Sequence, residues 1–293
     1  MTEFKSNWVS DGKGGQIRFP VFISQADMNL IKKEFTVKDG DIFVVTYPRS
    51  GTTWTEQMVH LLAHNGEQGE QLITDAVPWV ETLPHRPNGM HEFLKTIIGR
   101  RMFTSHLPYP LMPPLNDTTA RIVYVARNPK DVAISTYFHN QSKGGYEGTW
   151  EEHFQLFLHD DVGFGPYFDH ILPWWQASQN DERILFLKYE DMKNDHAGTI
   201  AKIAYFLDIQ ADLQLIDKVV FLSSFKSMTS NKTTNFDWVP QREGVPKHFR
   251  KGDIGDWRNY FSAEQSQQMD DLFMKKLKGI GLQFDFGDGV ILP

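Results

Sequence analysis

The chain contains no cysteine. That one absence excludes disulfide scaffolds, thiolate-held zinc, iron–sulfur clusters and thiol nucleophiles. It also lacks a basic excess: 30 Lys plus Arg against 37 Asp plus Glu leave a net charge of -7. A general nucleic-acid binder would carry the opposite sign, although a local basic pocket for a small anion remains compatible. No apolar run reaches the roughly 18 residues of a membrane span. The opening stretch MTEFKSNWVSDGKGG has no apolar core of the signal-peptide kind. The expectation is a soluble, cytoplasmic protein, with no nucleic-acid or membrane partner and with incidental sequons at Asn116 and Asn231.

What is present suffices for a sizeable core. Hydrophobic residues make up 40% of the 293 and aromatics 13%, far from the composition of a disordered chain. At about 150 residues per domain the length allows two domains, yet no repeat, charge block or linker divides it. The reading is one domain over 1–293, with residues 1–16 a mobile N-terminal arm around the Gly-rich Asp11–Gly15 and residues 279–293 an irregular C-terminal tail.

Four short, almost continuously apolar runs read as buried parallel strands: Asp41–Tyr47, Arg101–Ser105, Arg121–Ala126 and Arg183–Tyr189. Helical periodicity alternates with them. Trp54, Met58, Leu61 and Leu62 form one apolar stripe, and Trp150, Phe154, Phe157 and Leu158 repeat it. Further stripes run through Ile200, Ile203, Ala204 and Leu207, and through Met269, Leu272, Phe273 and Leu277. The pattern predicts an α/β fold, a mostly parallel central sheet flanked by helices. Ligands of such sheets sit beyond the carboxyl ends of the strands.

The first strand runs into Tyr47-Pro48-Arg49-Ser50-Gly51-Thr52-Thr53-Trp54 and then a helix. Strand, tight loop and helix start make an anion cradle, with Arg49 adding a planar cationic fork. The loop lacks the first Gly and the Lys of a Walker motif, so it is a phosphate-binding loop of another kind. Taken alone, it also suits an ordinary N-capped helix. A second basic site follows the third strand: Arg127, Lys130 and Asp131, with Ser135 one turn later; a surface Arg beside a helix start is the plainer alternative. The third, Arg250-Lys251-Gly252-Asp253-Ile254-Gly255-Asp256-Trp257-Arg258, would by itself pass for a solvated loop. His60 and His64 have the i, i+4 spacing of zinc ligands but no Glu between them and no third ligand, so no metal is expected. His106 stands just beyond the second strand, in Ser105-His106-Leu107-Pro108.

Together and in this order, the three basic stretches resemble the cytosolic sulfotransferase family, over nearly the whole chain. The resemblance implies a sulfotransferase whose co-substrate is 3′-phosphoadenosine 5′-phosphosulfate (PAPS) and whose product is adenosine 3′,5′-bisphosphate (PAP). It implies that Arg49, Ser50, Gly51, Thr52 and Thr53 hold the 5′-phosphosulfate. Trp54 would stack on adenine with Tyr189, Ser223 and Phe225 nearby, and Arg127, Ser135, Arg250, Lys251 and Gly252 would bind the 3′-phosphate. His106 matches the family's catalytic base, and Arg49 takes the loop position usually held by Lys. Thr104 stands where members often carry another Lys. By position Phe22, Trp79, Phe138, His139 and Phe236, with Phe19 and Trp238, would line the acceptor pocket. Asp237 and Glu243, in an expected gating loop over Asn231–Gly244, suggest a polar, cationic acceptor. The family's dimer signature is degenerate in Arg258–Gln267, which implies a monomer or weak homodimer. The competing readings are a metal-dependent small-molecule kinase and a non-catalytic phosphonucleotide-binding homologue.

Overall fold

The computed structural model describes residues 6–143, 145–287 and 289–292. Its centre is a four-stranded sheet of β3 (Ile42–Thr46), β4 (Met102–Ser105), β5 (Arg121–Ala126) and β6 (Ile184–Lys188). The strands lie in the order β4-β3-β5-β6 and every neighbouring pair is parallel. Side chains alternate between two cores. Phe43, Val45, Ile122 and Tyr124 pack into one, while Ile42, Val44, Val123 and Val125 pack into the other. Burial on both faces explains why the strands read as apolar runs rather than as alternating ones. Each expected strand is recovered to within about one residue at either end.

Helices cover both faces. Thr52–Ala63 follows β3 and buries Met58, Leu61 and Leu62. Pro129–Lys143 follows β5, its first turn closed by the Asn128 carbonyl Oδ1, which accepts from the Asp131 N–H at 2.8 Å. Pro129 fits there because its missing N–H and fixed φ cost nothing at a first helical position. Trp150–Leu158, His196–Phe206 and Ala263–Leu277 realise the three remaining periodic stripes.

Strand order reverses at β3: the chain steps to β4 on one side and to β5 on the other. That reversal opens a crevice at the carboxyl ends, the place where an open α/β sheet accepts ligands. The loops after β3, β4 and β5 begin with Tyr47, His106 and Arg127, and the helix that follows β6 directly begins with Tyr189. Four separate stretches of sequence thus deliver their polar residues to one edge.

Two expectations about the chain ends change. The stretch taken as a mobile arm contains an antiparallel hairpin, β1 (Ser6–Ser10) with β2 (Gln16–Pro20). Asp11 builds its turn, its Oδ1 accepting from the N–H groups of Lys13 and Gly15 at 2.7 and 2.8 Å. Val9 and Phe19 pin the hairpin to the core. Residues 1–5 of that arm lie outside the described residues. At the other end a short antiparallel pair, β7 (Phe284–Asp285) with β8 (Ile291–Leu292), interrupts the tail, and Leu282, Phe284 and Phe286 are buried.

Candidate functional site

The loop after β3 turns sharply, with Arg49 at φ 70° and Gly51 at φ 105°. Gly51 is required twice, by its backbone angle and by space: a Cβ there would stand 2.8 Å from the Tyr189 ring. No side chain caps the helix that starts at Thr52, so its first N–H groups keep their donor capacity. The Ser50 hydroxyl is fully buried and has no hydrogen-bond partner. An orphaned donor beside an uncapped helix start fits an incoming phosphate.

Arg49 reaches across this loop. Its Nε donates to Ser135 Oγ (3.2 Å) and its NH2 to the His248 carbonyl (2.9 Å). Burial, followed by the charges of Arg127 and Arg250, lowers its pKa to about 10, which still leaves it cationic at neutral pH. Arg127 donates to the Asp253 carbonyl at 2.8 Å and lies over the Tyr189 ring, 4.3 Å from its centroid. Its Nε is a second buried, unpartnered donor. Lys130 turns away, to Ser266 and Asp270.

The third basic stretch docks here. Asp131 accepts from the backbone N–H groups of Gly255 (2.9 Å) and Trp257 (3.0 Å). Asp256 in turn receives Arg250 and Lys251, while the Gly252 carbonyl accepts from the Tyr189 hydroxyl at 2.8 Å. Phe225, 41% exposed, lies against Gly252. Trp54 meets the Tyr189 ring edge-on at 5.5 Å and the His196 ring at 5.0 Å. Ser223 is fully buried, its hydroxyl donating to the Val219 carbonyl at 2.6 Å and lying 3.0 Å from His196 Nε2. Ser223 therefore sits behind the aromatic group rather than facing it.

His106 is held from two sides. Its Nδ1 lies 2.8 Å from the Thr46 carbonyl, which can only accept, so Nδ1 carries the proton and Nε2 keeps a lone pair. The Glu81 carboxylate accepts from the His106 backbone N–H at 2.6 Å and from Ser105 Oγ at 3.2 Å. Burial, with the charge of Arg49 adding to it, lowers the His106 pKa to about 4 against the opposing Thr46 hydrogen bond, so the ring is neutral near pH 7. A neutral, oriented imidazole beside a cation can accept a proton from a hydroxyl or amine. Burial pushes Glu81 itself up to about 7.

Around His106 stand Trp79 (5.2 Å, edge-on) and Phe164 (5.3 Å), with Phe22 against Trp79 at 5.5 Å. Phe19 is fully buried behind them against Phe164. Burial, with the charges of Arg49, Lys143 and His106 adding to it, holds His139 well below the ordinary imidazole value. Phe138 sits beneath the Arg250 guanidinium and against Tyr260, so its ring belongs to the basic side of the cleft. Phe236 stacks on His248 at 4.0 Å and on Trp238 at 4.9 Å.

The cationic-acceptor expectation is not supported. Asp237 is exposed and paired with Lys247 at 3.0 Å, and Glu243 is exposed. The His60 and His64 rings lie 4.3 Å apart, tilted by 38°, with His64 Nδ1 directed to the His60 carbonyl. Among the described residues no group of three or more His, Cys, Asp or Glu is placed to hold a metal ion, and no helix is long and apolar enough to cross a membrane.

Sequence reasoning missed Thr46, Glu81, Lys143 and His248. Glu81 had a signal, a lone carboxylate in the apolar stretch Pro78-Trp79-Val80-Glu81. The other three are ordinary residues whose placement depends on distant partners.

Comparison with known proteins follows the same outline. The sulfotransferase-domain family model matches residues 39–281. The chain is similar to Sulfotransferase 1 family member D1 of Rattus norvegicus, 37% identical over 278 residues that span 90% of this chain and 92% of the relative. It is 35% identical to Sulfotransferase 1C2 of Oryctolagus cuniculus over 263 residues, 86% and 88% of the two chains. Among solved structures it resembles mouse sulfotransferase SULT7A1 complexed with PAP, at TM-score 0.72 and 30% identity, covering 89% and 93%. A retinol dehydratase in complex with retinol and PAP superimposes at TM-score 0.80 with 25% identity, covering 93% and 90%.

Proposed function

The chain belongs to the sulfotransferase family, and we propose that it moves the sulfuryl group of PAPS to a hydroxyl or amine of a small-molecule acceptor by in-line displacement. The observation that carries this reading is the His106–Arg49 arrangement: a neutral imidazole with a free Nε2, within the field of a buried cation on an uncapped phosphate loop.

When bound, PAPS supplies the sulfuryl group and a 5′-phosphate leaving group. Arg49, Ser50, Gly51, Thr52 and Thr53 would hold its 5′ end. Trp54, Tyr189 and Phe225 would frame the adenine, with Ser223 supporting them from behind. Arg127, Ser135, Arg250, Lys251 and Gly252 would surround the 3′-phosphate. His106 accepts the acceptor's proton at Nε2, while Thr46 and Glu81 keep the ring and its backbone in place. Arg49 steadies the negative charge that grows on the leaving oxygen; it acts by its field and fork alone, because a guanidinium does not give up a proton at neutral pH. Thr104, a neutral side chain, adds no charge to the site; its hydroxyl donates to the Val44 carbonyl at 3.1 Å. The charged apparatus is thus one cation smaller than the family's common pattern, with Arg49 carrying the loop.

The kinase reading needs a carboxylate free to hold a metal beside the loop. The nearby candidates are already engaged: Asp131 with Gly255 and Trp257, and Glu190 with Asn128. Calorimetric titration with PAP, ADP and ATP, without added metal, tests the reading. Binding of PAP well above both competitors is expected, because only PAP offers a 3′-phosphate. Preference for ATP, or no nucleotide binding, overturns it.

A further inference from the structure

Beside the donor loop stands a further cation, Lys143, that neither the nucleotide site nor the proton transfer uses. On the Pro129–Lys143 helix, Ser135, His139 and Lys143 fall at i, i+4 and i+8, one face of the helix, and all three line a single cleft with Arg49 and His248. Ser135 meets Arg49 at the donor end. Lys143 stands two turns further on, about 12 Å along the axis.

Lys143 has no carboxylate partner among the described residues. Its Nζ lies 3.4 Å from His248 Nδ1 and 5.0 Å from the centre of the Phe236 ring. Arg49 NH1 lies 3.4 Å from that same His248 nitrogen. Two cations therefore converge on one neutral imidazole lone pair, a weak acceptor at long distance. The adjacent Ser142 hydroxyl lines the cleft, is 7% exposed and has no hydrogen-bond partner. With Arg49 committed to the donor, the Lys143 ammonium and the orphaned Ser142 hydroxyl are left to meet an anionic oxygen. Around His106 itself the wall is apolar, formed by Trp79 and Phe164 with Phe22 against Trp79.

Resting on the proposed sulfuryl transfer, we propose that Lys143, with His248 and Ser142, forms an acceptor subsite for a carboxylate, and that the substrates of this protein are aromatic hydroxy acids whose ring packs on Trp79 while the acid group reaches Lys143. The acceptor hydroxyl loses its proton to His106 and gains the sulfuryl group as the donor's sulfur–oxygen bond breaks; the carboxylate at Lys143 is unchanged.

The test compares acid and neutral partners of equal shape with PAPS: 4-hydroxyphenylacetate against 4-hydroxyphenylacetamide, and 6-hydroxy-2-naphthoate against 6-hydroxy-2-naphthamide. In at least one pair the acid is expected to lead by roughly tenfold or more in kcat/KM, the scale of a charge-assisted hydrogen bond. Calorimetric binding to the PAP complex should give the same preference without turnover. Lys143→Gln should bring the acid-to-neutral ratio close to one, and Lys143→Arg should restore it. Equal use of acid and neutral phenols, or a preference that survives Lys143→Gln, overturns the proposal. So does a Lys143→Gln protein whose only change is weaker PAP binding, because Lys143 would then belong to the donor site. In each of these results PAP still binds and the proposed function stands. Absence of both PAP binding and turnover overturns both.

Discussion

At the amino ends of the strands, arginines meet carboxylates. Arg101 grips Asp41 through two nitrogens, Arg121 pairs with Asp208, and Arg183 holds Asp181 at 2.8 Å. At the carboxyl ends, Arg49 and Arg127 direct their closest donors to the carbonyls of His248 and Asp253, and Asp131 stands off from Arg127 at 3.5 Å. Among the described residues Lys143 reaches an imidazole and the Phe236 ring, with no carboxylate. Backbone carbonyls fix an arginine in place without cancelling its charge. One edge of the sheet is thus neutralised, while the other, although Asp256 pairs with Arg250 and Lys251, keeps the charges of Arg49 and Lys143 available for a ligand. The difference teaches how a chain with a net charge of -7 can present a basic pocket.

Four measurements would break or sharpen that contrast. The largest effect should come from His106→Ala, which removes the proton acceptor and should lower turnover by roughly 10²–10⁴ with PAP affinity retained. Turnover within tenfold of the parent would remove His106 from the chemistry. Next is Arg101→Met at the neutralised edge. It leaves Asp41, 1% exposed, as an uncompensated buried charge and should cost about 3–5 kcal/mol in urea unfolding. Arg49→Met at the charged edge strands no carboxylate, so it should leave stability unchanged or raised while PAP binding weakens; equal destabilisation by both would erase the distinction.

The third concerns pH. The folded His106 value of about 4 lies below the usual 6.5. The acid limb of kcat/KM, which reports the free enzyme, should therefore fall below 6.5, with activity kept at pH 6 and lost toward pH 4. A limb at or above 6.5 would contradict the burial that sets this value. Glu81 works in the opposite sense. Its folded value of about 7 lies above the ordinary 4.5, so its stabilisation is complete below 4.5 and is lost as pH rises through about 7. Glu81→Gln should flatten that part of the urea-stability curve. The smallest effect belongs to Arg183→Ala, a partly exposed pair at the neutralised edge, expected to shift stability by no more than about 1 kcal/mol.

The sheet could be read because its strands are buried on both faces and bounded by turn residues, so local pattern and final burial agree. The phosphate loop and His106 could be read because each follows directly from a strand end. The hairpin over residues 6–20 was hidden: only Val9 and Phe19 are fully buried in its two strands, too few to set a period-two pattern. Lys143 and His248 were hidden for another reason. They lie 105 residues apart in sequence, and nothing local to either one encodes the other. The acidic residues at 237 and 243 misled because charge in a sequence does not reveal which way it faces.

Asp131 binds Gly255 and Trp257 from 124 and 126 residues away. That tether has a consequence for how the protein comes into being. A ribosome finishes all four strands, the phosphate loop and His106 some sixty residues before it delivers Arg250. Until then the emerging chain has its scaffold and half its anion cradle, with Arg127 and Asp131 awaiting their partners. A chain cut short before Arg250 would contain the central sheet without the third basic stretch that the proposed nucleotide site needs.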